Sequence, residues 1–186
     1  MQCPGGTILI RTGRFPKNSG TGNRIKGAEG VALARAGNAF CIDAYEYPGK
    51  GQRPRTSVTH TAASGLCKAA GKRLCSDREW LRACVGRGGA AYPYGKEFDG
   101  RLCNTEDDDG DERSVATGGS FPKCRSAVGA YDMSGNVAEW TDDQTVRGGD
   151  FASSDEDASC RAGGRRSEGS ARASIGFRCC SDFTEP

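Results

Sequence analysis

The chain has 186 residues, with 26 basic and 24 acidic side chains and a formal net charge of +2. That length suits a single domain, and the near-balanced charge gives no electrostatic footing for nucleic acid or an anionic membrane surface. No apolar run approaches the roughly 20 residues that a membrane-spanning helix needs, so no transmembrane segment is expected.

Apolar residues make up 35% of the chain and glycine accounts for 28 positions, so the core must be thin. Burial worth roughly 25 cal/mol per Å² has to offset about 1–2 kcal/mol of backbone entropy per ordered residue. Glycine raises that entropic cost, and an additional brace is expected. The ten cysteines supply one. Their even number, with no C-x-x-C pair, reads as a disulfide framework formed in an oxidising compartment. Zinc is the alternative, but structural zinc draws on closely spaced Cys and His, and His60 stands alone. The adjacent Cys179 and Cys180 are also poorly placed to serve one small site. Met1-Gln2-Cys3-Pro4 runs straight into Gly5-Gly6, so an export signal or a larger parent protein is expected to lie outside this sequence. The expected location is secreted or cell-surface.

Residues 1–37 are rich in Gly, Arg and Lys, with a strand predicted at Thr7–Ile10 and an exposed loop over Lys17–Gly30. The apolar, alternating segment Phe40–Tyr47 predicts a core strand ended by Pro48-Gly49. Thr59 then caps a helix carrying Ala62, Ala63, Leu66, Cys67 and Ala70, and Gly71 closes it in the left-handed conformation. Ser76-Asp77-Arg78-Glu79 has the form of a capping box. It opens a second helix with Trp80, Leu81 and Cys84 that ends near Gly86. The two helices, joined by Lys72–Cys75, predict a compact hairpin with a cysteine on each inward face. From Arg87 to Pro186 short strand-like pieces alternate with Gly, Pro, Asp and Ser clusters, which predicts a loop-rich half on a small β core. The fold class is α+β, one disulfide-braced domain over 1–186.

Several blocks carry a family resemblance. They are Ala70-Gly71-Lys72-Arg73-Leu74 with Asp77-Arg78-Glu79-Trp80, Tyr92-Pro93-Tyr94-Gly95, Cys103-Asn104 and the run Tyr131 to Trp140. Arg147-Gly148-Gly149 and Gly176-Phe177-Arg178-Cys179 complete the series. Their order, over about 38–180, resembles the formylglycine-generating-enzyme (sulfatase-modifying-factor) domain, a variant of the C-type-lectin fold. The resemblance implies disulfides Cys67–Cys179 and Cys84–Cys160. Cys103 and Cys124 flank one acidic loop and are expected to pair locally, while the partners of Cys3, Cys41, Cys75 and Cys180 stay open.

The resemblance also implies calcium. Its ligands would be the Asp132 and Glu139 carboxylates and the Gly135 and Val137 carbonyls, the all-oxygen set that hard cations take. The alternative is that Asp132 and Glu139 only cap and solvate a turn. The acidic run Glu106–Glu112 follows Asn104, near which many family members hold a second calcium. The run lacks EF-hand spacing, and a solvated charge run is the preferred reading.

The family's oxidases bind copper(I) through a cysteine pair between Arg-Gly-Gly and the disulfide cysteine, because soft thiolates suit that ion. Here Asp150 to Ser159 holds no cysteine, and Ser153 sits about where the first thiol belongs. Copper is therefore not expected. His60, on the first helix, reads as a half-buried structural residue. Without a second His, no Cys–His nucleophile or two-His iron site can be assembled. Gly86-Arg87-Gly88-Gly89 lacks the Lys-Ser/Thr of a phosphate loop.

What remains is binding. Asp150, Ser153, Asp155, Glu156 and Asp157, followed by Arg161, Arg165 and Arg166, form a mixed-charge polar stretch. It loosely resembles the variable face of retroelement-diversified lectin-fold proteins. The expected function is a non-catalytic extracellular module. Its partner would be a protein or glycan, or copies of itself in a surface assembly. The alternatives are a plain solvated loop, or an oxidase with an altered metal site that converts a client cysteine to formylglycine.

Overall fold

The computed structural model describes residues 3–11, 39–106 and 113–183. The loop expected over Lys17–Gly30 and most of the acidic run after Asn104 lie outside the described residues. Along the chain come β1 (Thr7–Ile10), β2 (Phe40–Asp43), α1 (His60–Ala69), β3 (Arg73–Leu74) and α2 (Asp77–Val85). Then follow β4 (Ala138–Trp140), β5 (Thr145–Arg147), a 3-10 turn (Asp155–Ala158), β6 (Gly163–Arg165), β7 (Ile175–Phe177) and β8 (Cys179–Asp182).

Both helices begin where their caps dictate. The Thr59 hydroxyl accepts the Ala62 N–H at 3.2 Å. Ser76 and Glu79 exchange side-chain-to-backbone bonds at 3.3 and 2.8 Å, a complete capping box. Arg73 locks that box from outside with a two-pronged pair to Glu79, at 2.7 and 2.8 Å. Gly71, with φ 71°, turns the chain out of α1.

The strands form two four-stranded sheets, ordered β1-β2-β8-β3 and β6-β5-β4-β7. The first is antiparallel, with Ile42 opposite both Ile8 and Cys180. In the second, β4 runs parallel to β7 with Glu139 opposite Gly176, and the other pairings are antiparallel. The strand predicted through Tyr47 ends at Asp43 instead. There the chain turns inward, and Glu46 is buried.

Side chains alternate across a strand, so the neighbours Cys179 and Cys180 point to opposite faces of β8. Cys180 joins a core with Ile42, Trp80, Ala83, Cys84 and Met133. Cys179 joins another with Ala63, Cys67, Trp140, Ile175 and Phe177. The two helices therefore feed separate cores instead of packing chiefly on each other. The cause lies in their connector: Arg73–Leu74 enters the sheet as β3 and separates them. Among the described residues no helix is long and apolar enough to cross a membrane.

Five disulfides cross-link these layers: Cys3–Cys41, Cys67–Cys179, Cys75–Cys180, Cys84–Cys160 and Cys103–Cys124. The adjacent pair that argued against zinc thus ties one strand to α1 through Cys67 and to the link between β3 and α2 through Cys75.

Candidate functional site

The turn from Asp132 to Glu139 is held in a shape that few sequences adopt. Asp132, Gly135 and Asn136 all have positive φ, at 55°, 73° and 57°. At Gly135 a Cβ would lie 2.2 Å from the Asn104 carbonyl oxygen, so only glycine fits. This close approach lets the Asn136 N–H donate to that carbonyl at 2.7 Å. The Asn104 amide donates to the Asn136 side-chain oxygen and the Ser114 carbonyl, both at 2.8 Å. Asn136 passes the connection inward, donating to both carboxylate oxygens of Glu46 at 3.0 and 2.9 Å.

Glu139 is fully buried and bound on both oxygens. Arg178, equally buried, donates to them from Nε and Nη2 at 2.7 Å each, and the Trp80 indole N–H donates at 2.7 Å. The other Arg178 donors reach the Tyr131 and Asp43 carbonyls at 2.8 and 3.1 Å. Asp132 accepts the Gly119 N–H at 2.7 Å. Three carboxylates, Glu46, Asp132 and Glu139, thus share one guanidinium. Burial, reinforced by the charges of Asp132 and Glu139, pushes the Glu46 carboxyl well above the ordinary range. Burial likewise pushes Asp132 up to about 6, against the opposing pull of the Gly119 N–H and Arg178. For Arg178 burial works against the charge, yet Glu139 outweighs it and holds the cation firmly.

Glu46 and Arg178 were absent from the sequence-based site. A signal for Glu46 existed: continuing the alternation of Phe40, Ile42 and Ala44 puts it on the core face. Arg178 had no such signal, since a charge in an apolar strand end reads locally as exposed.

The proposed calcium ligands lie within this turn. Their oxygen chemistry suits a hard cation, and the negative surplus around Arg178 favours one. Glu139, however, already shares its oxygens with Arg178 and Trp80. Among the described residues no three His, Cys, Asp or Glu side chains surround a common ion position. An ion here would rest on two carboxylates and backbone carbonyls, not on a carboxylate cage. Asn104 sits beside the turn with its amide engaged as above, and of the acidic run only Glu106 is described.

The polar stretch after Gly149 divides by charge. In its first half the side chains serve local structure. The Ser153 hydroxyl accepts the Asp150 N–H at 3.0 Å, and Asp150 accepts the Ala152 N–H at 3.1 Å. Asp155 accepts the Tyr92 hydroxyl at 2.9 Å, while Glu156 and Asp157 are exposed. In the second half Arg165, at the end of β6, and Arg161 and Arg166, on either side of that strand, are exposed. His60, on α1, donates from Nε2 to the Thr141 carbonyl at 3.0 Å and meets Trp140 edge-on. It is a structural residue.

All ten cysteines are consumed by the five disulfides, and none is free. A two-thiolate copper(I) centre therefore does not fit the residues present, and Ser153 is a turn hydroxyl.

A family model described as the sulfatase-modifying factor enzyme 1-like domain, FGE-sulfatase, matches residues 9–183. The chain belongs to the FGE-sulfatase family. Among curated relatives of this FGE-sulfatase domain is the serine/threonine-protein kinase Pkn1 of Chlamydia trachomatis. It is 31% identical over 161 residues, which cover 73% of this chain but 25% of the kinase. The inactive C-alpha-formylglycine-generating enzyme 2 of Bos taurus is 30% identical over 167 residues, covering 75% of this chain and 55% of that protein. The chain therefore spans a quarter to about half of these relatives. Among solved structures, CarF superimposes with a TM-score of 0.70 at 17% identity, covering 96% of this chain and 98% of its own. PvdO from Pseudomonas aeruginosa gives 0.65 at 19% identity, over 78% of this chain and 81% of its own. At these identities the two structures establish the shared fold alone.

Proposed function

We propose that this FGE-sulfatase domain is a non-catalytic module that works outside the reducing cytosol, secreted or at a cell surface. It binds a protein or glycan, or builds a surface assembly. The observation that carries the reading is the commitment of every cysteine to a disulfide, which leaves no thiolate for copper(I) chemistry. The relatives named as inactive formylglycine-generating enzymes support it, as does the oxidising environment that such a framework needs. The test is direct. The protein is incubated with copper(I) and a cysteine-containing, sulfatase-type peptide, and the peptide is weighed by mass spectrometry. No aldehyde is expected, and formation of one in proportion to enzyme refutes the proposal in favour of an oxidase.

Calcium is proposed as a structural ligand at Asp132, Gly135, Val137 and Glu139. It would neutralise the negative surplus around Arg178. Thermal melts should then rise with added calcium over EDTA, and an Asp132→Asn variant should lose the gain. Identical melts with and without the ion refute this site.

A further inference from the structure

Among the described residues, the second sheet ends at β6, which pairs with β5 on one side and with no described strand on the other. The ladder fixes which backbone groups face outward. Arg166 N–H donates to the Gln144 carbonyl at 3.0 Å, Gly148 N–H to the Ala162 carbonyl at 3.4 Å, and Gly164 stands opposite Val146 between them. Hydrogen-bonded and non-bonded pairs alternate along an antiparallel ladder. Ala162, Gly164 and Arg166 therefore turn their backbone groups toward β5, and Gly163 and Arg165 turn theirs away. Both outward residues are exposed.

Edge strands are commonly guarded by being short, by charged side chains, by proline, by a bulge or by a covering loop. β6 has three residues, no proline, and Arg165 at its end, so its guard is positive charge, which repels a cationic strand and attracts an acidic one. None of Arg161, Arg165 and Arg166 forms an ion pair with a described carboxylate. Among the described residues the Arg166 guanidinium bonds only the Arg165 carbonyl, at 3.3 Å. Burial works to raise the nearby Asp143 carboxyl, but bonds from Thr141 and Thr145 outweigh it and hold the group low, with a smaller pull from Arg165. Glu168, the acidic residue that follows, is spent elsewhere: its carboxylate takes the Thr61 hydroxyl and its carbonyl the His60 N–H on α1.

We propose that β6 is a docking edge for an extended, acidic segment of a partner protein. The segment pairs with the outward N–H groups of Gly163 and Arg165 and with the Gly163 carbonyl, takes the place of the Arg166 guanidinium at the Arg165 carbonyl, and sets its carboxylates against Arg161, Arg165 and Arg166. Strand addition of this kind draws affinity from backbone bonds and selectivity from alternate side chains. A second copy of β6 is disfavoured, because pairing two such strands sets guanidiniums against each other. The inference rests on the binding-module reading and names its partner class.

The probe is a labelled short peptide of alternating glutamate and threonine, titrated into the full chain and read by fluorescence anisotropy. Its controls are a lysine–threonine peptide, a glutamate–proline peptide of equal charge, and a heparin oligosaccharide. Binding of the first peptide is expected, with no binding of the lysine form. The proline form, which cannot pair, should bind about tenfold more weakly, roughly the worth of one or two net hydrogen bonds. Arg165→Pro, compared with Arg165→Ala, removes an N–H that β5 does not use, and should weaken binding by a similar about tenfold factor. Circular dichroism checks that both variants fold, and the peptide controls stand if one does not. Equal binding of the glutamate–threonine and glutamate–proline peptides overturns the proposal, as does binding of heparin alone or of no probe. None of those results touches the binding-module reading, which fails only on aldehyde formation.

Discussion

Burying a carboxylate without a dedicated cation leaves its proton as the cheapest way to remove the charge. Glu46 is such a group: its hydrogen-bond donor is the neutral Asn136, and the one nearby guanidinium is bound to Glu139. Its carboxyl is raised well above the ordinary range, first by burial, and Asp132 is raised to about 6 for the same first reason. For an acid whose value rises on folding, the native state holds protons that the unfolded chain releases. The associated stability is full below the unfolded value of roughly 4 and is lost as pH climbs through the folded value. Urea unfolding in EDTA should show stability falling between about pH 4 and pH 7. Glu46→Gln keeps an oxygen for Asn136 and has no charge to bury, so its stability should fall less steeply. Parallel pH profiles for parent and variant would mean that Glu46 is not the titrating group.

At the scale of elements, what could be read from the sequence was what depends on neighbours within one helical turn. Thr59, Gly71 and the Ser76–Glu79 box declare the ends of α1 and α2 because each cap is completed by residues three or four positions away. The second sheet was illegible for the opposite reason. Its strands are only three residues long, too short for alternation to rise above the surrounding Gly and Ser. They are defined by partners far along the chain, as Glu139 is by Arg147 and Gly176. Gly163 shows what such pairing demands: with φ 132° and a Cβ position 1.9 Å from the Val146 carbonyl oxygen, it admits no side chain. In sequence it is one glycine among many. The candidate site divides in the same way. The turn around Gly135 was visible as a motif. Of its inner half, Glu46 was signalled by the alternation of the strand before it, whereas Arg178 was hidden because its burial contradicts its polarity and depends on Glu139, far along the chain.

Across the whole molecule, β8 gathers the constraints. Cys67–Cys179 and Cys75–Cys180 reach it from opposite faces, with sequence separations of 112 and 105, and Cys84–Cys160 spans 76 more. Cross-links over loops of that length each restrict the unfolded chain by about 4–5 kcal/mol in the entropic model. An ordinary domain has a net stability of about 5–15 kcal/mol in total. A core divided in two by β8, in a chain so rich in glycine, cannot be expected to make up the loss of two such links. Replacing Cys67 and Cys179 by serine should lower the unfolding free energy by about 2–5 kcal/mol and leave a cooperative transition. Replacing Cys75 and Cys180 as well should abolish the near-ultraviolet circular dichroism of Trp80 and Trp140 at body temperature. A four-serine variant that still melted cooperatively near the parent temperature would show that packing alone holds the two layers together.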